Sequence, residues 1–259
     1  MRKIEKNLAI VPDSLSDRSR KECKKTDRKR NLLISPNSRY KKAYDECYKW
    51  KDIQDMLASL YKNKCAYCEE KIRRINAQNL SNQEEISHTV EHYRPKSKYP
   101  WLAFSWDNLL WCCVQCNKNK DNNFEIINKP IICSASFKSR IHSSTKLYNR
   151  LEKPKMVHPE LEDVMDKLLF NRNGKIDSKD DRVKYTITTC GLDRNYLNGK
   201  RKKILDELIN KFQDPLVQKD NDKRKQIIKK FKEDSENMDN EFIAFRIWVL
   251  NMFQKEKNE

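Results

Sequence analysis

Two pairs of cysteines offer the clearest chemistry in the sequence. Cys65 and Cys68 are separated by two residues, and so are Cys113 and Cys116. Each pair can span one edge of a tetrahedron, and Zn2+ in a structural site takes four such thiolates at about 2.3 Å. The spacing therefore predicts one structural zinc ion held by four cysteines. We expect its binding to contribute about 10 kcal/mol to folding.

A fifth cysteine leaves the register of the second pair open. Cys112 precedes Cys113 and could pair with Cys116 at a longer spacing. We assign Cys113, because it gives both pairs the same loop. Ordinary core cysteines or a redox pair are the alternatives, but no thioredoxin-like context surrounds either pair. The isolated cysteines, which we expect to be buried or incidental, are Cys23, Cys47, Cys133 and Cys190.

Polar residues of a second kind lie between and just after the cysteine pairs. They are Glu91, His92, Asn108, Asn117 and Lys120. Hydrolysis of a phosphodiester needs an activated water, a cation that neutralises the phosphoryl oxygens, and stabilisation of the leaving oxygen. The ordinary pKa of histidine is about 6.5, so His92 can accept a proton near pH 7. Mg2+ prefers oxygen ligands such as those of Glu91 and Asn117.

The charge of the chain agrees with a nucleic-acid partner. Its 259 residues include 55 Lys and Arg against 38 Asp and Glu, for a formal charge of +17. A phosphate backbone favours such charge through counterion release. Arg94 and Lys96 follow His92 and are candidates for phosphate contact, with solvated charges as the open alternative. Residues 18–42 hold 11 basic and 2 acidic side chains, which indicates either a phosphate-contacting arm or a solvated tail.

Apolar spacing predicts the elements that position these residues. Residues 1–36 are polar, and we interpret them as an extended or weakly ordered arm. Apolar residues at intervals of three and four predict an amphipathic helix over 40–61, which leads to the first cysteine pair. Residues 90–93 and 106–111 are interpreted as strands, and a helix is expected from Cys113 onward.

The second half of the chain is predicted to be mainly helical. Residues 168–177 indicate a hairpin with an Asn-Gly turn at 173–174. Two helices separated at Gly191 are expected over 182–214, and a charged helix over 222–234. These patterns predict a helical region that follows the chemically dense segment.

Several protein classes are excluded by composition. The mean hydropathy is −0.98, and the segment 240–253 is too short to span a membrane. We interpret that segment as a buried core helix or, alternatively, as a helix that docks a partner. Three glycines are too few for a nucleotide-binding loop. No signal peptide is visible, so we expect a cytoplasmic protein.

The motifs of the dense segment resemble the HNH endonuclease family. E-H-x-x-P begins at Glu91, D-N-L-L covers 107–110, and C-x-x-C-N-x-x-K covers 113–120. Further matching segments are 64–69, 158–163, 170–176 and 186–194. Over roughly 40–210 the chain looks like the HNH proteins of Septu anti-phage systems and their retron-associated relatives.

The resemblance implies a small ββα-metal core, braced by a zinc site of four cysteines, within a mainly α chain of the α+β class. It implies that His92 is the general base and that Asn108 orients the loop between the strands. Glu91 and Asn117 would hold a catalytic Mg2+ or Mn2+ ion. Lys120 would lie one helical turn farther on, on the side of the phosphate.

The resemblance also implies a function and a division of the chain. The function is an endonuclease acting on DNA, with RNA as an open alternative, in a defence complex with an ATPase partner of the PtuA type. A non-catalytic zinc-knuckle module that binds nucleic acid is the competing hypothesis. The predicted division is a basic arm over 1–36, a zinc-braced nuclease core over 37–135 and a mainly helical region over 136–259.

Overall fold

The computed structural model describes residues 1–35, 37–72, 88–133 and 135–255. The predicted end of the arm at 36 and the last residues of the helical region lie outside these ranges. The α-helices of the described part are α1 (Asp13–Ser16), α2 (Lys21–Leu33), α3 (Lys51–Leu60), α4 (Val114–Lys120), α5 (Thr145–Glu152), α6 (Asp181–Cys190), α7 (Asn195–Gln213), α8 (Pro215–Gln218), α9 (Asn221–Glu236) and α10 (Ile243–Lys255). Short 3-10 helices cover Lys42–Tyr48, Pro100–Leu102, Trp106–Asn108, Ala135–Arg140 and Met165–Lys167.

Two small antiparallel sheets complete the described part. Strand β1 (His88–His92) pairs with β2 (Leu109–Cys113), and β3 (Leu169–Phe170) pairs with β4 (Ile176–Asp177). All five residues of β2 are buried, because helices cover this sheet instead of solvent. The predicted mainly α, α+β class is confirmed.

The β1–β2 sheet continues directly into α4. Cys113 caps the helix, since its Sγ accepts a hydrogen bond from the Cys116 backbone N at 3.4 Å. The helix packs against both strands. The second strand begins later than predicted, because Asp107 and Asn108 hydrogen-bond to backbone groups and hold Trp106–Asn108 in a 3-10 turn.

Residues 1–35 are not an extended arm, so that prediction was wrong. Helix α2 buries one stripe of side chains, and the stripe packs against the rest of the chain. Its buried members are Cys23, Thr26, Arg30 and Leu33. Their spacing of three and four residues places them on one face of a helix. Low overall hydrophobicity had concealed this stripe, because a few well-spaced side chains are enough to dock a helix.

The helix predicted over 40–61 is two elements. A 3-10 helix ends at Tyr48, the backbone is extended at Trp50 (φ −57°, ψ 146°), and α3 begins at Lys51. The bend points Tyr48 toward His92, whose ring centroid lies 4.5 Å from that of Tyr48. Helix α3 packs against β2. Because of this break, the 3-10 helix contacts His92 while α3 contacts β2.

The predictions for the second half are largely confirmed. Gly174 lies in the turn between β3 and β4 with φ +74°, where an added Cβ would meet the Asn198 carbonyl oxygen at 2.2 Å. Gly191 ends α6 in the left-handed conformation. Helix α10 is a core helix, with Phe245 and Val249 buried. None of the helices described above has both the length and the apolar character that a membrane crossing requires.

Candidate functional site

Four cysteines converge in what we call the four-cysteine site. The Sγ atoms of Cys65, Cys68, Cys113 and Cys116 all lie within 4.8 Å of one another, and all four residues are buried. A tetrahedral ion with metal–sulfur bonds of about 2.3 Å has sulfur–sulfur edges of about 3.8 Å. The Sγ atoms of Cys68 and Cys113 are 3.9 Å apart. The donor set therefore fits a tetrahedral metal ion.

Backbone hydrogen bonds fix the first cysteine pair against the sheet. The Cys65 backbone N donates to the Glu70 carbonyl oxygen at 2.9 Å, which closes the loop of this pair. The Ala66 backbone N donates to the Trp111 carbonyl oxygen at 2.8 Å, which ties the loop to β2. Because the second pair spans the end of β2 and the start of α4, one short unit positions all four thiols.

The position of Cys112 answers the register question. Its Sγ lies 3.5 Å from that of Cys65, yet Cys113 and not Cys112 belongs to the group of four. The Cys112 thiol therefore lies beside the site, next to Cys65, but outside the four sulfur atoms that are all mutually close. The choice of Cys113 made from the loop length is confirmed.

Glu91 and Lys120 form a buried ion pair at the end of β1. Glu91 Oε1 lies 2.6 Å from Lys120 Nζ, and both side chains are almost fully buried. Lys120 Nζ also donates to the His92 carbonyl oxygen at 2.9 Å. Burial raises the pKa of the Glu91 carboxyl, and Lys120 opposes that shift. The expected phosphate contact of Lys120 is absent from this arrangement, because its ammonium is enclosed by protein.

His92 is held as a buried, neutral imidazole. Its Nε2 lies 2.9 Å from the Ala103 carbonyl oxygen. A carbonyl can only accept, so Nε2 carries the proton and Nδ1 is the basic nitrogen. Burial lowers the pKa of His92 to about 3, and the charge of Lys96 adds to the effect. The Tyr48 ring meets the imidazole edge to face and covers it.

Asn108 ties together the loop that joins β1 and β2. Its Oδ1 accepts from the Arg94 backbone N at 2.8 Å. Its Nδ2 donates to the carbonyl oxygens of Arg94, at 3.1 Å, and Leu102, at 3.2 Å. The side chain is fully buried. One amide therefore satisfies three backbone groups of the loop that follows His92.

Asn117 lies beside the Glu91–Lys120 pair. Its Nδ2 donates to Thr89 Oγ1 at 3.1 Å. Thr89 and Glu91 share one face of β1, since residues two apart on a strand point the same way. Asn117 and Lys120 are three residues apart and share one face of α4. The structure thus brings the three expected polar side chains to one side of the sheet.

Arg94 is not available to a nucleic acid, so the expected phosphate contact was wrong. Its side chain is fully buried, with Nε 2.9 Å from Glu152 Oε2 and Nη2 2.8 Å from Asn149 Oδ1. Lys96 is half-buried, and its Nζ lies 2.8 Å from Asp45 Oδ1. Lys96 also lies over the rings of Tyr40 and Tyr48. Its contact with nucleic acid remains a prediction.

Comparison with known proteins finds similarity to two Septu proteins of one bacterial strain. No family model matches the chain. Over 179 residues, or 63% of its length, it is 30% identical to the Septu protein PtuB of Bacillus mycoides (strain KBAB4), of which it covers 54%. The chain is thus similar to PtuB over more than half of its own length. The Septu resemblance expected from the motifs is thereby confirmed.

The chain is also similar to a second Septu protein of the same strain. It is 21% identical over 171 residues to the Septu protein PtuA, which corresponds to 61% of this chain and 21% of PtuA. The chain thus spans about half the length of PtuB and about a fifth of PtuA.

Arg194 contacts the four-cysteine site, and sequence reasoning did not find it. Its Nη1 donates to Cys116 Sγ at 3.3 Å, and its Nη2 lies 3.9 Å from Cys113 Sγ. Four thiolates around a divalent cation leave a net charge of −2, which one guanidinium reduces. Arg194 ends the matching segment 186–194, but nothing in that segment indicates a contact 78 residues away.

Tyr48 and Asp45 were also missed. Both belong to the 3-10 helix Lys42–Tyr48, which lies over His92 and Lys96. The only available signal was the change of helix type before α3, and helical periodicity does not reveal it. This 3-10 helix forms the cover of the His92 side chain.

Proposed function

We propose that the chain is a metal-dependent HNH endonuclease that hydrolyses phosphodiester bonds in nucleic acid, with DNA as the substrate. The observation that supports this most strongly is the setting of His92. Its imidazole is neutral, its Nε2 is fixed on the Ala103 carbonyl oxygen, and a carboxylate precedes it in the chain. This combination suits a general base beside a cation-binding residue.

His92 Nδ1 would accept the proton of the attacking water. A pKa of about 3 leaves the imidazole neutral at pH 7 but makes it a weak base in the closed arrangement. Burial is the largest cause of the shift, so admission of water and a phosphate group would raise the pKa toward its ordinary value. The proposed reaction therefore requires the cover at Tyr48 to open.

Oxygen atoms of Glu91 and Asn117 would hold the catalytic Mg2+ or Mn2+ ion. Such an ion neutralises charge on the phosphoryl and leaving oxygens. Lys120 Nζ now lies against Glu91 Oε1, so the ammonium and a cation compete for the same carboxylate. Asn108 fixes the backbone of the loop after His92 and would thereby keep the imidazole in position.

We assign the four-cysteine site to a structural Zn2+ ion. Four thiols fill a tetrahedral shell and leave no position for a water or a substrate. The site would therefore brace the β1–β2–α4 unit and take no part in the reaction.

The biological role that we propose is the effector of an anti-phage defence complex with an ATPase partner of the PtuA type. The similarity to PtuB and PtuA supports this role. The three glycines of the chain do not supply a nucleotide-binding loop, so a partner would handle ATP.

A cleavage assay with a matched histidine control tests the proposal. Wild type, His92→Ala and His88→Ala are incubated with plasmid DNA and with RNA, in Mg2+ or Mn2+, with and without the product of the adjacent gene. His88 lies on the same strand but stacks on Trp111. We expect His92→Ala to cut DNA at least about 100-fold more slowly than wild type. His88→Ala should cut at a rate within a few-fold of wild type.

Two outcomes would contradict the proposal. Equal cleavage by wild type and His92→Ala removes the base assignment. No cleavage by wild type under any condition favours the non-catalytic binding module, an alternative that the burial of Glu91 and His92 also supports.

A further inference from the structure

Helix α2 presents a basic face to solvent. Lys21, Lys24 and Arg28 are exposed and lie at intervals of three and four residues, so they form one stripe along the helix. We call these three side chains the basic face of α2. The opposite stripe, which includes Cys23 and Leu33, is buried. The helix is therefore anchored on one side and charged on the other.

The basic face has no acidic counterpart in the described part of the chain. No carboxylate there lies within salt-bridge distance of Lys21, Lys24 or Arg28. Their neighbours Lys25 and Lys29 do have such a partner, because both contact Glu46 Oε1, at 2.5 and 2.9 Å. The lysines on the side of the 3-10 helix Lys42–Tyr48 are thus neutralised, and the basic face is not.

Helix α9, on which several exposed lysines do have acidic partners, serves as an internal comparison. Its exposed Lys225, Lys230 and Lys232 pair with acids one turn away, at 3.1, 3.3 and 4.0 Å. Helix α2 also carries acids, Glu22 and Asp27, but Asp27 pairs with the buried Arg30 and not with the basic face. Unbalanced charge on α2 therefore indicates an anionic partner.

The face lies next to the cover of His92. Lys29 Nζ donates to the Ala43 carbonyl oxygen at 2.7 Å, which docks α2 on the 3-10 helix Lys42–Tyr48. That 3-10 helix places Tyr48 on the imidazole of His92. A polyanion bound along α2 would therefore lie one element away from the proposed catalytic histidine.

We propose that the basic face of α2 binds the phosphate backbone of duplex DNA. From Lys21 to Arg28 the helix rises about 10 Å, a length over which one strand of a duplex carries about three phosphates. Helix α2 contains no aromatic residue, whereas single-strand binders stack bases on aromatic side chains. The inference rests on the proposed function, for which it names the surface that holds the substrate.

Binding measured without cleavage tests the proposal. Fluorescence anisotropy follows a labelled 20-base-pair duplex with full-length protein carrying His92→Ala, without added divalent cation, at a series of salt concentrations. Lys21→Gln, Lys24→Gln and Arg28→Gln are combined in one variant. Lys225→Gln, Lys230→Gln and Lys232→Gln are combined in a control that removes the same charge. Thermal unfolding and metal content show that both variants are folded.

The α2 variant should bind the duplex about 10-fold more weakly or worse at low salt. The slope of log K against log salt should fall by about 3 in magnitude, because three phosphate contacts are lost. The control should keep the slope of the parent protein. Single-stranded DNA and RNA of equal length should bind more weakly than the duplex.

Failure of this proposal and failure of the proposed function are distinguishable. Equal losses in both variants, no loss in either, no duplex binding by the parent protein, or stronger binding of single strands or RNA would each overturn the role of α2. None of these results decides whether His92 cuts DNA. Conversely, duplex binding that depends on α2, together with an absence of cleavage by wild type, would remove the nuclease and keep the binding surface.

Discussion

The two sites that share the β1–β2–α4 unit differ in how ready they are for a cation. In the four-cysteine site all four sulfur atoms already converge. At the Glu91–His92 site the carboxylate is occupied by Lys120, and Tyr48 covers the imidazole. The four-cysteine site could take an ion as it stands, whereas the proposed Glu91 site would have to rearrange before it could bind one.

The chemistry of the ligands explains this difference. A thiol is a weak hydrogen-bonding group that can be buried like a small apolar side chain. An ionised carboxylate cannot be buried without a partner, because its desolvation costs several kcal/mol. The buried Glu91 therefore needs a partner, which Lys120 supplies, whereas the buried thiols need none.

The largest effect is expected from loss of a cysteine ligand. Cys113→Ser should abolish stoichiometric metal binding and remove up to about 10 kcal/mol of folding free energy, so the chain should be unfolded or insoluble. Cys112→Ser is the matched control and should retain one metal ion per chain. Elemental analysis and thermal unfolding distinguish them, and the reverse result would assign Cys112 as the ligand.

The next largest effect is expected at the ion pair. Lys120→Met leaves the buried Glu91 carboxylate without a partner and should lower the free energy of unfolding by about 3–5 kcal/mol. The double variant Lys120→Met/Glu91→Gln should recover much of this loss, because no charge then remains buried. Urea unfolding measures both.

The same variant tests the competition between ammonium and cation. Mg2+ should raise the melting temperature of Lys120→Met more than that of wild type, because the oxygen of Glu91 is no longer occupied. If Mg2+ stabilises the two proteins equally, Glu91 is not a cation ligand, and the two sites do not differ in the way described above.

A smaller effect, on the retention of metal by the four-cysteine site, is expected from substitution of Arg194. Arg194→Gln should accelerate metal transfer to a chromogenic chelator, or weaken metal binding, by about 10-fold, because the excess negative charge of the thiolates is no longer offset. Arg194→Lys should be intermediate, and the exposed Arg150→Gln should behave as wild type. Identical transfer rates for all four proteins would mean that the guanidinium contact does not affect the site.

The smallest effect concerns His142, which resembles His92 in burial but has no catalytic neighbours. Its Nδ1 accepts from the Trp106 backbone N at 2.9 Å, and burial lowers its pKa to about 3. The unfolded chain binds a proton here below about pH 6.5, whereas the folded chain does not until about pH 3. The stability that His142 contributes is therefore complete above pH 6.5 and is lost as the pH falls toward 3.

His142→Gln should remove this pH dependence. Between pH 7 and 5.5, wild type should lose about 1 kcal/mol more of its unfolding free energy than the variant does. Urea unfolding at the two pH values measures the difference. If wild type and the variant lose the same unfolding free energy, burial does not lower the pKa of His142. The assignment of a lowered pKa to His92, which has the same cause, would then fail as well.

Motifs with short spacing were predicted well because their geometry is local. The Asn173-Gly174 turn, the end of α6 at Gly191 and the choice of Cys113 all depend on a few neighbouring residues. Residues 1–35 were predicted poorly. Their docking depends on partners such as Ala43 and Glu46, which composition alone does not reveal.

The roles of charged side chains were the hardest part of the candidate site to predict. Arg94 follows His92 in a basic segment and was expected at a phosphate, yet it pairs with Glu152, 58 residues farther along the chain. Lys120 was expected one helical turn past Asn117 on the side of a phosphate, but its contact with Glu91 depends on how the helix packs on β1. A basic residue looks the same in sequence whether its partner is a phosphate or a buried carboxylate.

The sequence by itself determined which chemistry the chain can carry: two cysteine pairs with the loop of a tetrahedral site, an acid–histidine pair, and asparagines at the spacing of a strand–strand–helix unit. These are local relations that a pattern of types and intervals contains. Only the tertiary structure decided the state of each group, namely that Lys120 occupies Glu91, Tyr48 covers His92, Arg194 reaches the cysteines and the basic face of α2 lies in solvent. The reason is that burial and charge pairing depend on contacts between residues far apart in the chain, and those contacts set pKa values and accessibility.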